Sequence, residues 1–328
     1  MSSSLGKLLG TKKILVCCGS GGVGKTTTAA AIALKAAELG YKTIVLTIDP
    51  AKRLANAMGL ATLSDEPQRI PLPSGHLEAM MLDTKRTFDH LIEKYSPSRQ
   101  AREAILANRL YQHLSTMLAG SQEYMAMEKL YELSREKDYD LIVLDTPPTR
   151  HALDFLEAPE KMVNITTNSI LKWFLKPSLF VAGGSFGFFR RGREKILSVF
   201  DHLAGFSFLS ELSEMLISIA GLLGGFQNRA ASVMELLRDK SVGFLLVTSP
   251  ESPSIQDALY FLKEIRRFKL PLSGFVINRL HHSFLESQKE REGLESRKGE
   301  IPDRLVAALF KNLEEMEFLA ERDEENLS

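Results

Sequence analysis

Short unbroken apolar runs alternate along the chain with longer stretches in which apolar residues recur every three or four positions. Ile14-Leu15-Val16-Cys17-Cys18, Thr43-Ile44-Val45-Leu46-Thr47-Ile48, Asp140-Leu141-Ile142-Val143-Leu144-Asp145, Val242-Gly243-Phe244-Leu245-Leu246-Val247-Thr248 and Ser273-Gly274-Phe275-Val276-Ile277-Asn278 carry no polar face for water. Runs of this kind read as core strands covered by helices on both sides, as in a parallel sheet. A shorter strand is expected around Glu78-Ala79-Met80-Met81-Leu82, after a polar, Pro-punctuated loop from Leu60 to Gly75. Ala29-Ala30-Ala31-Ile32-Ala33-Leu34 reads as helix, with Gly40 where a C-cap glycine belongs. From Thr84 to Glu136 the spacing is helical through Phe88, Leu91, Ile92, Leu110, Leu114, Leu118 and Met125, and a further helix is expected near Ser254 to Phe268. Phe284 to Leu327 is charged and helical with a break at Pro302, an outer layer and tail. The alternation predicts an α/β fold with a mostly parallel, doubly wound sheet.

Residues 161–230 break this rhythm. They hold half of the chain's 18 Phe and its only Trp, Trp173, mixed with Gly183, Gly184, Gly187, Gly224 and Gly225. Large apolar side chains beside flexible glycines suit a surface that repacks around varied apolar partners, and equally a second helical layer with its own core. Arg190, Arg191 and Arg193 follow Phe188-Phe189 and are expected to be solvated.

The first strand runs into the segment that carries the chemistry. Gly19, Gly24, Lys25 and Thr26 match G-x-x-x-x-G-K-[ST], with a strand before and a helix after. In such a loop successive backbone N–H groups of Ser20, Gly21, Gly22, Val23, Gly24, Lys25, Thr26 and Thr27 converge on one anion, and the helix adds its positive N-terminal end. Lys25 is expected to reach the β- and γ-phosphates and the Thr26 hydroxyl to bind Mg²⁺. Two further strands end in aspartate, at Asp49-Pro50-Ala51 and at Asp145-Thr146-Pro147. Ligands of open α/β sheets bind beyond the carboxyl ends of the strands, so both carboxylates are expected at the same crevice as Lys25. Asp145 would hold Mg²⁺ directly or through water, although a strand-end aspartate can equally cap the next helix.

Composition narrows the setting. Lys plus Arg and Asp plus Glu both number 41, so charge balance recruits neither nucleic acid nor an acidic membrane surface. The only two cysteines are adjacent and point to opposite faces of a strand, which reads as core in a reducing cytoplasm. Met1 to Lys7 lacks the layout of a secretory signal, and the longest low-polarity run, Met215 to Phe226, is too short and glycine-interrupted to span a bilayer. His281 and His282 lack metal-ligand spacing and read as surface residues.

Gly21-Gly22-Val23-Gly24-Lys25-Thr26-Thr27, Thr47-Ile48-Asp49-Pro50-Ala51, Leu144-Asp145-Thr146-Pro147-Pro148-Thr149 and Val276-Ile277-Asn278-Arg279-Leu280 occur in the order seen in arsenite-pump and tail-anchored-protein-targeting ATPases. Across Ile14 to Leu280 the chain resembles this ArsA/GET family, within the deviant-Walker class of P-loop NTPases. The resemblance implies a P-loop ATPase core over 1–83, 137–160 and 236–328, with a helical subdomain over 84–136 and 161–235. It implies that Asp49 is the switch I carboxylate that orients or deprotonates the attacking water, that Asp145 opens switch II, and that Glu251 and Asn278 contact the nucleotide. Asn278 would read adenine; no N-K-x-D run follows it, so ATP is the expected nucleotide.

The chain departs from the family pattern at identifiable places. Ser20 stands where the family loop carries a lysine that reaches the partner's phosphates; either Arg53, Arg150 or a lysine of a different subunit supplies that charge, or the substitution is harmless in a loop that still has Lys25. The C-x-x-C that clamps zinc across the targeting dimer is absent, and no thiols stand where arsenite or an iron-sulfur cluster would bind. The expectation is a slow, Mg-dependent, cytoplasmic ATPase, a homodimer or a heterodimer with a related ATPase, that opens and closes a surface for a hydrophobic helical client or membrane-protein partner. The alternatives are a Min/Par-type positioning ATPase, against which the acidic tail Glu314 to Glu325 argues, and the motor of a transporter for an anion other than arsenite.

Overall fold

The chain, studied as a computed structural model, is described over residues 4–49, 51–96, 98–108, 122–136, 138–147, 223–281 and 303–328. β1 (Ile14–Gly19), β2 (Lys42–Thr47), β3 (Gln68–Arg69), β4 (His76–Met81), β5 (Leu141–Asp145), β6 (Val242–Thr248) and β7 (Leu272–Ile277) form one sheet in the order β3-β4-β2-β5-β1-β6-β7. Every pairing is parallel except that of β3 with β4. The α/β doubly wound architecture is thus the one expected from the buried apolar runs.

Alternation along each strand divides the core between the two faces. Ile14, Val16, Cys18, Ile44, Leu46, Ile142, Leu144, Phe244 and Leu246 belong to one apolar cluster, and Leu15, Cys17, Val45, Val143, Leu245 and Val247 to the other. The adjacent cysteines therefore lie on opposite sides of the sheet, both fully buried. Burial pushes the Cys17 thiol well up and the Cys18 thiol up to about 12, so neither is poised as a nucleophile.

The second face is covered by α1 (Ser4–Leu9), α2 (Lys25–Glu38) and α3 (Arg53–Ala57). The buried stripe of α2 is Ala29, Ala30, Ile32, Ala33, Ala36 and Ala37, and its five alanines let the helix lie close against the sheet. It ends in a Schellman motif: Gly40 N–H donates to the Ala37 carbonyl at 3.0 Å and Tyr41 N–H to that of Ala36 at 3.1 Å. The first face is covered by α4 (Thr84–Tyr95), α5 (Arg99–Ala107), α6 (Gln122–Glu136) and α7 (Leu223–Arg238). Asp83 caps α4, its carboxylate accepting from Arg86 N–H at 2.8 Å, and Ser98 caps α5 in the same way. α8 (Ser252–Arg267) follows β6, and α9 (Asp303–Leu327) closes the described chain. Truncating a side chain as enclosed as Leu46 to alanine would cost about 2–5 kcal/mol.

Particular expectations meet different outcomes. β7 is an edge strand rather than a core strand: Leu272, Phe275 and Ile277 are exposed, because among the described strands only β6 flanks it. β3 was not foreseen, since two residues carry no period. Among the described residues the helical stretch from Thr84 comprises α4, α5 and α6, which pack in the same apolar cluster as the sheet. Leu110, Leu114, Leu118, Arg150, Pro302 and nearly all of the aromatic-rich 161–230 region lie outside the described residues. Among the described residues, no helix is long and apolar enough to cross a membrane.

Candidate nucleotide site

Strand register brings the site together. Asp145 pairs with Cys17 of β1 on one side and Thr47 of β2 on the other, so the ends of β1, β2 and β5 meet at one edge. Gly19 pairs with Val247 at the end of β1, where an added Cβ would lie 2.0 Å from the Val247 carbonyl oxygen; only glycine allows the loop to leave there. Gly24, the residue before α2, has φ 94°, and a Cβ on it would sit 2.2 Å from Asn278 Nδ2. That amide donates to the Val23 carbonyl at 2.8 Å, so Asn278, which follows β7, ties the loop down.

Lys25 is buried at the start of α2, and its Nζ donates to the Ser20 carbonyl at 2.8 Å across the loop. Burial pulls the ammonium below its ordinary value of 10.5; the charges of Asp145 and Asp49 oppose that pull and Arg53 adds to it. Lys25, Asp145, Asp49 and Arg53 thus share one electrostatic neighbourhood. Gly21, Gly22 and Thr27 are exposed, whereas Ser20 and Val23 are buried, and the Ser20 hydroxyl has no hydrogen-bond partner.

Asp145 is fully enclosed. Its Oδ2 accepts from Thr26 Oγ1 at 2.8 Å and from Thr47 Oγ1 at 3.0 Å, while Oδ1 is buried without a partner. Burial raises this carboxyl above its ordinary 3.8, and the two threonine hydroxyls only partly counter it. An anionic oxygen held dry and unsatisfied beside a threonine hydroxyl suits a divalent cation. Among the described residues, no group of three His, Cys, Asp or Glu side chains could hold a metal alone. A cation at Thr26 and Asp145 would therefore complete its shell with phosphate and water oxygens, and the residues fit Mg²⁺ carried by a nucleotide.

Asp49 sits just past β2. Its Oδ1 accepts from Ala51 N–H at 2.9 Å in an Asx turn, and its Oδ2 pairs with Arg53 Nη1 at 3.1 Å. Glu251 lies across the crevice at the N-cap of α8, with its Oε2 3.4 Å from the Ser249 hydroxyl. Glu251 and Arg279 line a cleft of about 380 Å³. The loop, Asp145 and Asn278 are thus in direct contact through named bonds, Asp49 approaches them electrostatically, and Glu251 stands apart in the cleft.

Sequence reading missed several members of this arrangement. Thr47 shares Asp145 with Thr26, and Thr146 fixes the strand exit by donating to the Cys17 carbonyl at 2.8 Å. A polar residue near the end of each apolar run was the available signal. His281, expected at the surface, is only partly exposed and bonds the buried Asp323.

The profile of the family described as anion-transporting ATPase (ArsA ATPase) matches residues 12–306. A putative arsenical pump-driving ATPase of Halobacterium salinarum is 36% identical over 152 residues, 43% of this chain and 23% of that protein. ATPase GET3 of Malassezia globosa is 31% identical over 155 residues, 47% of this chain and 45% of that one. ATPase ASNA1 homolog 2 of Paramecium tetraurelia is 27% identical over 263 residues, 80% and 74% of the two chains. The chain spans less than half the length of the first two of these relatives.

Proposed function

Since the chain belongs to the anion-transporting ATPase family, we propose that it binds Mg·ATP on the β1–α2 loop and hydrolyses it to ADP and phosphate. The observation that carries this reading is the buried, unpartnered Oδ1 of Asp145, held beside the Thr26 hydroxyl and within the field of Lys25. In the bound state Lys25 Nζ exchanges the Ser20 carbonyl for phosphate oxygens, and the loop amides from Ser20 to Thr27 take the remaining negative charge. Thr26 and Asp145 hold Mg²⁺, which when bound neutralises phosphate charge. Asp49 takes the proton of the attacking water at Oδ2 once the Arg53 guanidinium has turned from that oxygen toward the phosphates. Asn278 holds the loop, and the cleft beside Glu251 receives the nucleoside. The test is calorimetry with Mg·ATP: micromolar uptake by the wild type, lost by at least 100-fold in Lys25→Ala. No uptake by the wild type overturns the reading.

The finer reading makes this site the control of a dimer. Phosphate contacts hold the turns after Asp49 and Asp145 in one arrangement and hydrolysis releases them. The helical regions over 84–136 and 161–235 then form or lose an apolar groove for a hydrophobic membrane-protein segment. What supports it is the family resemblance together with the aromatic-rich composition of 161–230. Light scattering with ATP, ADP or no nucleotide, repeated with an apolar helical peptide, tests it: a mass that does not change with nucleotide overturns the dimer switch.

A further inference from the structure

Exposed apolar surface is concentrated at the β7 edge of the sheet. Of the ten large apolar side chains exposed among the described residues, six belong to two consecutive elements and the turn after them: Leu259 and Tyr260 on α8, Leu272, Phe275 and Ile277 on β7, and Leu280 just beyond. Single exposed apolar residues are ordinary, whereas a group of them marks a contact face. Strand register puts the three of β7 on one side. Leu272 pairs with Phe244, Phe275 with Leu246 and Ile277 with Thr248, and Phe244 and Leu246 belong to the first-face cluster. Val276 pairs with Val247 and packs on the second face. A register shift beside Phe244 skips Ser273 and so brings Leu272 into phase with Phe275.

Exposed edge strands are commonly blunted by charged side chains. From Leu270 to Asn278 there is no charged residue; Lys269 and Arg279 stand outside the run. Among the described residues β6 alone pairs with β7, so its other side offers a row of backbone donors and acceptors.

The spacing of the apolar residues selects the occupant. Phe275 and Ile277 stand one position on either side of Val276, and Leu272 and Leu280 stand four positions on either side. A pattern symmetric about one residue matches itself run backwards. Two β7 strands laid antiparallel about a two-fold axis at Val276 set Phe275 against Ile277 of the second copy, an aromatic with a β-branched side chain, and bring Leu272 toward Leu280. Arg279 then falls opposite Ser273, so no two cations meet.

We propose that β7 is an interface between two copies of this chain, which join edge to edge into one continuous sheet about a two-fold axis at Val276. Such a contact uses the same patch on both copies and closes on itself, giving a dimer rather than a fibre. Because the strands run antiparallel, the carboxyl ends of the two sheets, with their β1–α2 loops, face opposite ways. Both crevices stay open and the contact needs no nucleotide, so it stands independently of the nucleotide reading.

Sedimentation of the full chain without nucleotide tests this. The contact is short, so a reversible dimer with Kd on the order of 10 µM is expected over a range of about 1–100 µM protein. Phe275→Lys should weaken association by at least about 30-fold, because it places an unpaired ammonium against Ile277. Combining it with Ile277→Glu should restore most of the association, since each ammonium then meets a carboxylate across the joint. Unchanged circular dichroism in both variants shows that the fold is intact. A wild type that stays monomeric across the range overturns the proposal, as does association that Phe275→Lys leaves unweakened. A double variant no better than the single one overturns the antiparallel register. Capture of an apolar helical peptide by a monomeric wild type, lost in Phe275→Lys, gives the face to another partner and overturns the self-pairing.

Discussion

Thr26, in the first turn of α2, and Asp145, at the end of β5, meet at 2.8 Å across 119 positions of sequence. The contact exists because β1 and β5 are register-paired, Cys17 opposite Asp145, so the loop leaving β1 turns back over the carboxylate. It leaves one carboxylate oxygen satisfied twice, by Thr26 and Thr47, and the other not at all.

That imbalance makes Asp145 a cost to the nucleotide-free fold. Burial raises its folded-state carboxyl above the unfolded value of 3.8, so its favourable contribution is complete only below that value and is lost as pH rises through the folded one. At neutral pH Asp145→Asn should therefore raise the melting temperature of the nucleotide-free protein by about 1–3 °C. The same change should abolish the extra stabilisation that Mg²⁺ gives over ATP alone. Thermal scans with and without MgATP check both signs at once, and a variant melting below the wild type without ligand would refute the assignment.

Gly24→Ala meets two obstacles, a left-handed backbone at φ 94° and a Cβ placed 2.2 Å from Asn278 Nδ2. The expected loss is about 1–3 kcal/mol of stability, together with at least a tenfold fall in nucleotide affinity. Removing the clash with Asn278→Ala in the same chain should recover only part of the loss, since the strained backbone remains. Full recovery in chemical denaturation would show that the clash alone mattered.

What the sequence made legible follows the range of the signals. The phosphate loop was readable because its strand, glycines, Lys25 and helix are contiguous, and Asp49 and Asp145 because strands of an α/β sheet deliver their ends to one crevice. Thr47 as partner of Asp145 was not readable: that contact depends on which strands are neighbours, and among the described residues β2 and β5 are separated by β3, β4 and four helices in the chain. Asp323 was hidden for a similar reason. On a helix with so many charged residues its carboxylate looked solvated, whereas it is buried and bonded to His281, 42 positions earlier in the chain. The apolar run of β7 told of a strand but not of its place at the sheet edge.

A buried ion pair ties α6 to α7. Glu128 is 2% exposed, accepts from Arg229 Nε at 2.7 Å and from the Tyr124 hydroxyl at 2.8 Å, and Arg229 lies 3.7 Å from the centre of the Tyr131 ring. Burial raises the Glu128 carboxyl, with Arg229 opposing it. Glu128→Gln should cost about 3 kcal/mol, because it leaves the guanidinium enclosed without its anion. The double change Glu128→Leu, Arg229→Met should recover most of that in urea denaturation; if it is as unstable as the single variant, the pair does not act as a unit.

Asp49 has both oxygens engaged, by Ala51 N–H and by Arg53. If it accepts a proton from water, Asp49→Asn should bind Mg·ATP within about threefold of the wild type while turnover falls by about 100-fold or more, the size of effect a general base contributes. Arg53 is 63% exposed in its side chain, and with Asp49 it makes a pair worth under about 1 kcal/mol, so Arg53→Ala should leave stability unchanged. Its charge nevertheless reaches Lys25, and Ser20 offers none in the loop. Arg53→Ala should therefore lower kcat by about 10–100-fold with KM nearly constant, and Arg53→Lys should restore part of it. Steady-state ATP turnover decides the matter. An Asp49→Asn enzyme running at the normal rate would remove the proton acceptor, and a faster Arg53→Ala enzyme would make that arginine a restraint on Asp49 rather than a source of phosphate-directed charge.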